Sequence, residues 1–213
     1  TTAQVGGVPN SLASMVHPRL LRRRLRACRR ALPPRVRRAH SRQLARRLGR
    51  HPLFLRSRSV AAYWSADGEI DPTPLLKLAH ARHKRRFLPV LRPHPRNKLW
   101  FIEYREGEPL TRNRFGIPEP ALRHRRIALP WALDLMLLPL VGFDARCRRL
   151  GMGGGFYDRT LAYLRQRRHW RRPRLVGLAH ECQRVERLDS QPWDVPLDMV
   201  VTEERIYDRK HGG

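Results

Sequence analysis

The sequence predicts an α/β protein with a three-layer α/β/α architecture, in which helices cover a mainly parallel, Rossmann-like central sheet. Short apolar runs alternate with segments of helical spacing along most of the chain. The apolar runs are continuous rather than alternating, which is typical of parallel strands buried on both faces. A length of 213 residues with 41% apolar residues is enough for one domain with a sizeable core.

Two basic amphipathic helices are predicted before the sheet begins. In the first helix the apolar residues recur at helical spacing: Leu21, Leu25, Cys28 and Leu32. Pro33-Pro34 ends this helix and opens a second one, whose apolar face is formed by Val36, Leu44 and Leu48. Residues 1–17 are small and polar, so we expect a disordered segment there, one domain over 18–207 and a short tail over 208–213.

The predicted sheet follows from six apolar runs. These strands are Ser59–Trp64, Phe87–Leu91, Leu99–Tyr104, Leu135–Phe143, Leu175–His180 and Met199–Thr202. The run over Leu135–Phe143 is the most hydrophobic and is expected at the centre of the sheet. Helices are predicted over Pro74–Arg82 and Phe156–Arg167.

The charge is strongly positive, with 45 Lys+Arg against 18 Asp+Glu and a net charge of +27. No acidic residue precedes Asp67, whereas sixteen arginines do. Such a field attracts polyanions, so RNA binding is one hypothesis, and a site for ATP and an anionic small molecule is another. No window approaches 18 uninterrupted apolar residues, and no signal-peptide pattern precedes Arg19, so we expect a cytoplasmic protein without a membrane span.

The most informative segment is residues 138–159, LPLVGFDARCRRLGMGGGFYDR. A buried strand is followed by a basic turn and then by four glycines before a predicted helix. Glycines let backbone N–H groups approach a phosphate closely, and the start of a helix favours the same anion. Arg148 and Arg149 add positive charge, and Asp158 could hold a magnesium ion on the phosphates.

This loop matches neither familiar phosphate motif. A Walker loop needs Gly-Lys-Ser/Thr, but no lysine lies between Lys98 and Lys210. The dinucleotide fingerprint starts at Gly151 but meets Phe156 where its last glycine belongs. A structural turn with a capping Asp158 is the alternative on spacing alone.

Four motifs in this order resemble the 5-formyltetrahydrofolate cyclo-ligase family, also called 5,10-methenyltetrahydrofolate synthetases. They are DGEID, LPLVGFD, RRLGMGGGFYDR and WDVPLDMVVTE, and the resemblance covers the chain from about Pro18 to Tyr207. It implies an ATP-dependent, Mg²⁺-requiring cyclisation of 5-formyltetrahydrofolate to 5,10-methenyltetrahydrofolate. In that family ATP phosphorylates the formyl oxygen, N10 attacks the activated carbon and phosphate leaves.

The resemblance also implies individual roles. Arg149 and Tyr157 are the expected catalytic residues. The expected ATP-binding residues are Arg19, Arg22, Arg149, Leu150, Gly151, Met152, Gly153, Gly154, Gly155, Phe156 and Tyr157. The expected substrate-binding residues are Arg22, Trp64, Glu69, Met152, Gly153, Gly154, Gly155 and Phe156.

Each of these roles has a plainer alternative. Arg22 could belong to a solvated basic face, and Pro18 stands where the family often has a lysine that Arg19 could replace. Glu69 can accept the paired N–H donors of a pterin, or could simply be a turn residue. Trp64 could equally be a core residue at the end of a strand.

Asp158 and Asp194 match the family's carboxylates on the Mg²⁺ side. Asp194 could instead close a β-turn before Pro196. The histidines show no metal-ligand spacing, and His180 is interpreted as a core or supporting residue at a strand end.

We expect a monomer that takes ATP and 5-formyltetrahydrofolate, with no membrane partner. The alternatives are a basic nucleic-acid-binding protein on the same scaffold and another nucleotide-dependent enzyme.

Overall fold

A computed structural model describes residues 17–93, 97–120, 127–167 and 172–209. The predicted disorder of the N-terminal segment and the last four residues of the predicted tail lie outside the described residues. The helices are α1 (Pro18–Ala31), α2 (Pro34–Gly49), α3 (Pro52–Arg56), α4 (Thr73–Ala81) and α5 (Phe156–Thr160). Among the described residues, no helix is both long and apolar enough to cross a lipid bilayer.

The strands form one large sheet and two small hairpins. In chain order they are β1 (Ser59–Ala61), β2 (Arg85–Leu91), β3 (Leu99–Glu103), β4 (Leu110–Arg112), β5 (Pro118–Pro120), β6 (Ile127–Ala128), β7 (Leu135–Pro139), β8 (Gly142–Phe143), β9 (Arg149–Leu150), β10 (Arg174–Leu178), β11 (Met199–Val201) and β12 (Ile206–Asp208). The large sheet has the order β12-β11-β10-β7-β1-β2-β3-β6. Its five inner strands from β11 to β2 are parallel to one another, and antiparallel strands close both edges.

The core lies in two layers, one on each face of this sheet. On one face, side chains of α2, α3 and α4 such as Leu48, Phe54 and Leu75 pack on β1, β7 and β10. On the other face, Phe143, Leu161 and residues of neighbouring loops cover the same strands. The prediction of a mainly parallel central sheet with helices is therefore confirmed, although in the described part of the chain the second face is covered by α5, short 3₁₀ turns and loops.

Several element boundaries differ from the sequence prediction. The predicted helix over Phe156–Arg167 divides at Leu161, whose fully buried side chain sits at a non-helical residue (φ −102, ψ 7) before a 3₁₀ turn over Ala162–Arg165. The first strand ends at Ala61, three residues early. The β4–β5 and β8–β9 hairpins were not predicted, because strands of two or three residues carry almost no periodicity.

Helix α1 stands apart from both core layers and crosses the carboxyl edge of the sheet. Its residue Leu25 packs on β8, where a Cβ on Gly142 would come within 2.5 Å of the Leu25 Cδ1 atom. A side chain at position 142 would therefore force Leu25 to move. The next turn of α1 carries Arg29, which is fully buried although it is charged. This placement brings the basic helix to the edge of the sheet where the loops meet.

Candidate functional site

The carboxyl ends of β1, β7 and β10 meet at one edge of the sheet, as parallel neighbours must. The loop 62–71 leaves β1 there, and the β8–β9 hairpin and the glycine loop (residues 151–155) follow β7. In open α/β sheets this edge is where ligands bind. The motifs separated by about 80 residues in the sequence thus come to one place.

The glycine loop is open rather than filled by other parts of the protein. Gly153 and Gly155 have φ values of 95° and 62°, a left-handed region that favours glycine, and Met152, Gly153 and Gly154 are exposed. The Nε–H of Arg22 donates to the Gly151 carbonyl oxygen at 2.8 Å. The structure therefore brings Arg22 and the loop together, as the sequence predicts.

Helix α5 starts directly after this loop but has only five residues. The predicted helix over Phe156–Arg167 starts where expected but is shorter, because it breaks at Leu161. The backbone N–H groups of the loop and the surrounding arginines remain as the groups that favour negative charge.

Arg149 and Asp158 face each other at the side of the loop. The Nη2 group of Arg149 donates to the Oδ1 atom of Asp158, and the backbone N–H of Val195 donates to the same oxygen at 3.3 Å. The side chain of Arg149 is only 6% exposed, yet its Nε atom is buried with no hydrogen-bond partner. A buried, unpaired N–H of a guanidinium is the kind of donor that an anionic ligand would satisfy.

Asp194 lies next to Val195 and is thereby connected to Asp158. Its Oδ2 atom accepts a hydrogen bond of 2.8 Å from the Gln191 backbone N–H, so the carboxylate closes a turn. The described hydrogen bonds use one oxygen of each carboxylate, Oδ1 of Asp158 and Oδ2 of Asp194. The turn interpretation of Asp194 and its predicted metal role are therefore compatible.

Glu69 is largely buried in the loop after β1. Its Oε2 atom accepts from the Ala66 backbone N–H at 3.1 Å, and its Oε1 atom lies 3.6 Å from the Nη2 group of Arg29. Burial outweighs the pull of Arg29 and raises the pKa of Glu69 from 4.5 to about 7. The negative charge of Glu69 also contributes to the raised pKa of Tyr157, after burial of the phenol. Glu69 and Tyr157, the second residue after the glycine loop, are thus electrostatic neighbours.

Arg29 is a residue of this site that the sequence analysis did not single out. It donates to the backbone oxygens of Asp67 (2.8 Å) and Leu140 (2.9 Å) and to the Asp67 carboxylate (2.8 Å). Although burial acts in the other direction, hydrogen bonds from Arg26, Arg30 and Arg29 lower the pKa of Asp67 to about 2. The available signal was the position of Arg29, four residues after Leu25 on the buried face of the helix.

Three predicted residues make their described contacts outside the glycine loop. Trp64 is half-buried and packs edge-to-face on Tyr104 with the ring centres 6.0 Å apart, against the core layer under α2 and α4. Arg19 is exposed on the first turn of α1, where its backbone N–H donates to the His17 Nδ1 atom. Leu150 belongs to β9, and its carbonyl oxygen accepts from the Val141 N–H at 2.9 Å.

Two open clefts adjoin these residues. One, of about 280 Å³, lies between the start of α2 and the loop after β1, and Glu69 forms part of its wall. The other, of about 390 Å³, lies between β2 and the β4–β5 hairpin and reaches Phe156. There the Phe115 and Phe156 rings meet edge-to-face at 5.9 Å, and the Arg159 guanidinium lies 5.9 Å from the Phe156 ring centre. Planar, anionic ligands suit such aromatic and cationic walls.

Comparison with known proteins agrees with this geometry. Residues 14–203 match the model of the 5-formyltetrahydrofolate cyclo-ligase family. The chain is 40% identical over 186 residues to the 5-formyltetrahydrofolate cyclo-ligase of Escherichia coli K12, covering 86% of this chain and 99% of that protein. It is 42% identical over 148 residues to the Haemophilus influenzae cyclo-ligase, covering 68% and 76% respectively.

A solved structure shows the same fold. The NMR structure of Aquifex aeolicus 5,10-methenyltetrahydrofolate synthetase superposes with a TM-score of 0.76 at 31% identity, over 92% of this chain and 94% of that one. Sequence and fold therefore agree over nearly the whole described chain, and the motifs that carry the resemblance lie together at one edge of the sheet. The chain belongs to the 5-formyltetrahydrofolate cyclo-ligase family.

Proposed function

We propose that this chain uses ATP, with Mg²⁺, to cyclise 5-formyltetrahydrofolate to 5,10-methenyltetrahydrofolate, releasing ADP and phosphate. The observation that carries the proposal is the open glycine loop with Arg22 on its backbone and the buried, unpaired Nε of Arg149 beside it. In the reaction, the γ-phosphoryl group moves to the formyl oxygen. The N10 nitrogen then attacks the formyl carbon, and the carbon–oxygen bond to phosphate breaks.

Catalysis of phosphoryl transfer requires mainly that the protein position the substrates and stabilise the negative charge of the transition state. The backbone N–H groups of residues 151–155 would cradle the terminal phosphates, since two side chains on the loop backbone, Arg22 and Arg159, donate to its carbonyl oxygens and carry positive charge. Arg149 is held by Asp158 in one orientation, so its positive charge is fixed before the phosphates arrive. Arg22 lies on the loop backbone at Gly151 and Gly153.

Mg²⁺ fits the donor set at Asp158 and Asp194. Both are carboxylates, the ligand type that magnesium prefers, and their described hydrogen bonds occupy one oxygen each. When bound with ATP, the ion would neutralise charge on the phosphates. The Val195 N–H donates to Asp158, and Val195 directly follows Asp194, so the segment that carries Asp194 is in contact with Asp158.

Glu69 would bind the pterin ring. Its two oxygens can accept a pair of N–H groups from the ring, and its neighbour Tyr157 links this position to the glycine loop. The residues named for both substrates come from one chain, so we propose that the monomer is the active unit.

The direct test is an assay with the purified chain, ATP, Mg²⁺ and 5-formyltetrahydrofolate. We expect the absorbance of the methenyl product to appear with release of one ADP per product formed, and omission of either ATP or Mg²⁺ to abolish it. Hydrolysis of ATP that does not depend on the folate would favour another nucleotide-dependent enzyme. Tight RNA binding without turnover would favour the polyanion-binding alternative. The affinity of such binding should fall steeply as the salt concentration rises to moderate values.

Replacement of Arg22 tests the nucleotide side of the site. We expect Arg22→Gln to raise the KM for ATP about tenfold, because a charged donor on the phosphate loop is lost. Arg23→Gln is the matched control, since Arg23 is an exposed neighbour on the same helix. Equal KM values for the two variants, measured in the coupled assay, would remove Arg22 from the ATP site.

A further inference from the structure

Three side chains that have no role in the proposed reaction converge behind the loop after β1. His40 lies on α2, His180 follows β10, and Glu203 follows the neighbouring strand β11. The Nδ1 atom of His40 lies 3.0 Å from the Nδ1 atom of His180 and 3.2 Å from the Oε1 atom of Glu203. Ligand atoms of all three residues lie within 4.8 Å of one another. In sequence they are 140 and 23 residues apart, which is why no spacing motif marks them.

The hydrogen bonds fix which ring nitrogen of His180 faces His40. The Nε2 atom of His180 lies 3.2 Å from the Gly68 carbonyl oxygen, which can only accept, so the proton of the ring is on Nε2. Its Nδ1 atom therefore presents a lone pair toward His40. One proton on His40 Nδ1 must then serve both His180 and Glu203, two acceptors at similar distances. A metal ion in the place of that proton would satisfy all three atoms directly.

The dimensions suit a tetrahedral ion. Nitrogen and oxygen ligands at the usual zinc distances are about 3.3 Å apart in a tetrahedral site. The separations that involve His40, 3.0 Å and 3.2 Å, are close to that value, and the ligand atoms of His180 and Glu203 lie within 4.8 Å of each other. Histidine ligands of metals commonly donate their other ring N–H to a backbone carbonyl, and His180 does this with Gly68.

The surroundings fix the carboxylate in place. Both oxygens of Glu203 lie within hydrogen-bond distance of the Glu181 backbone N–H, at 3.2 and 3.1 Å. The carboxylate of Glu181 is occupied by the hydroxyl groups of Thr202 and Tyr207. His180 is fully buried, whereas the side chain of His40 is 21% exposed and forms the side open to solvent.

We propose that His40, His180 and Glu203 form a binding site for a divalent transition-metal ion of the zinc class, with a water molecule as fourth ligand. Two imidazoles and one carboxylate are a zinc donor set, and they differ from the all-oxygen set expected for Mg²⁺. The site is separate from Asp158 and Asp194. An ion here would join α2 to the ends of β10 and β11, and through Gly68 to the loop that carries Glu69.

The test is isothermal titration of the untagged, chelator-treated chain with ZnCl₂. We expect one zinc ion per wild-type chain, and a Kd that is weakened by more than about tenfold in His40→Gln, since even a lost supporting contact weakens metal sites on that scale. Glu203→Gln, an isosteric change, should weaken it likewise. His80→Gln is the matched control, because His80 is an exposed histidine on α4. Co²⁺ should give the visible absorption of a tetrahedral complex in the wild type and not in His40→Gln.

The binding assay needs no turnover, so its result is independent of the proposed reaction. Circular dichroism of the metal-free variants checks that each is folded, and the two substitutions on different elements guard against a local folding defect. A wild-type chain that binds no zinc would overturn the proposal. So would equal affinity in the wild type and His40→Gln, or displacement of the zinc by excess Mg²⁺.

Discussion

Replacing Asp158 by asparagine is expected to lower kcat by about 100-fold to 1,000-fold while the chain stays folded. Asparagine has the same shape, and its carbonyl oxygen can still accept from Arg149 and from the Val195 N–H. What it lacks is the negative charge that would hold Mg²⁺ on the phosphates and balance Arg149. The loss corresponds to about 3–4 kcal/mol of transition-state stabilisation.

The measurement is steady-state turnover across a Mg²⁺ series, together with thermal unfolding of both proteins. Asp189→Asn is the matched control, because Asp189 is an exposed carboxylate in the segment before Asp194. If Asp158→Asn kept the wild-type kcat at all Mg²⁺ concentrations, the carboxylate would have only a structural part in the site. A large fall in the unfolding temperature of Asp158→Asn would also indicate a structural role of this carboxylate.

Glu69→Gln is expected to make the protein more stable and less active at the same time. In the folded chain the pKa of Glu69 is about 7, against 4.5 for an unperturbed glutamate. Between these values the folded state holds a proton that the unfolded state releases, so stability falls as the pH rises through this window. Above pH 7 the buried charge costs about 3 kcal/mol of folding free energy, which the neutral amide avoids.

Denaturant unfolding at about pH 5 and about pH 8 measures this difference. The wild type should lose stability between the two values relative to Glu69→Gln, whose free energy of unfolding should be the larger one at the higher pH. Glu186→Gln serves as the control, since Glu186 is an exposed glutamate. Parallel pH profiles for the wild type and Glu69→Gln would show that Glu69 ionises normally.

The same substitution should raise the KM for 5-formyltetrahydrofolate by roughly 10-fold to 100-fold, because a charged acceptor pair for the pterin is lost. In the wild type, kcat/KM should increase with pH up to about 7 as Glu69 ionises, and this rise should be absent in the variant. An unchanged KM for the folate would place the pterin elsewhere.

The strands and the glycine loop could be predicted from the sequence because each depends on local pattern. The run over Leu135–Phe143 is apolar on both faces, and its first five residues form the buried strand β7 in the middle of the sheet. The four glycines after β9 mark a bend that few other residues could make. The resemblance predicts that Arg22 and the loop bind the same ligands; the structure places Arg22 on the loop, and the ligand-binding roles stay predictions.

Other features could not be predicted because they depend on contacts between distant segments. Arg29 is one arginine among many in the sequence, and only folding buries it against Asp67 and Leu140. The pairing of His40 with His180 joins a helix to a strand end. The break of α5 at Leu161 reflects tertiary burial of that leucine, which outweighs the helical spacing of the segment.

Because α1 lies outside the two core layers, its side chains contribute to the candidate site more than to the core. The two core layers are built without its side chains, whereas the loop at Gly151 and the neighbourhood of Glu69 both include them, through Arg22 and Arg29. If the proposed roles of Arg22 and Glu69 hold, we expect substitutions in the first helix to act mainly on substrate affinity and substitutions in the strands mainly on stability. Two lineages could keep equally durable proteins yet differ widely in catalytic efficiency through changes confined to their first thirty residues.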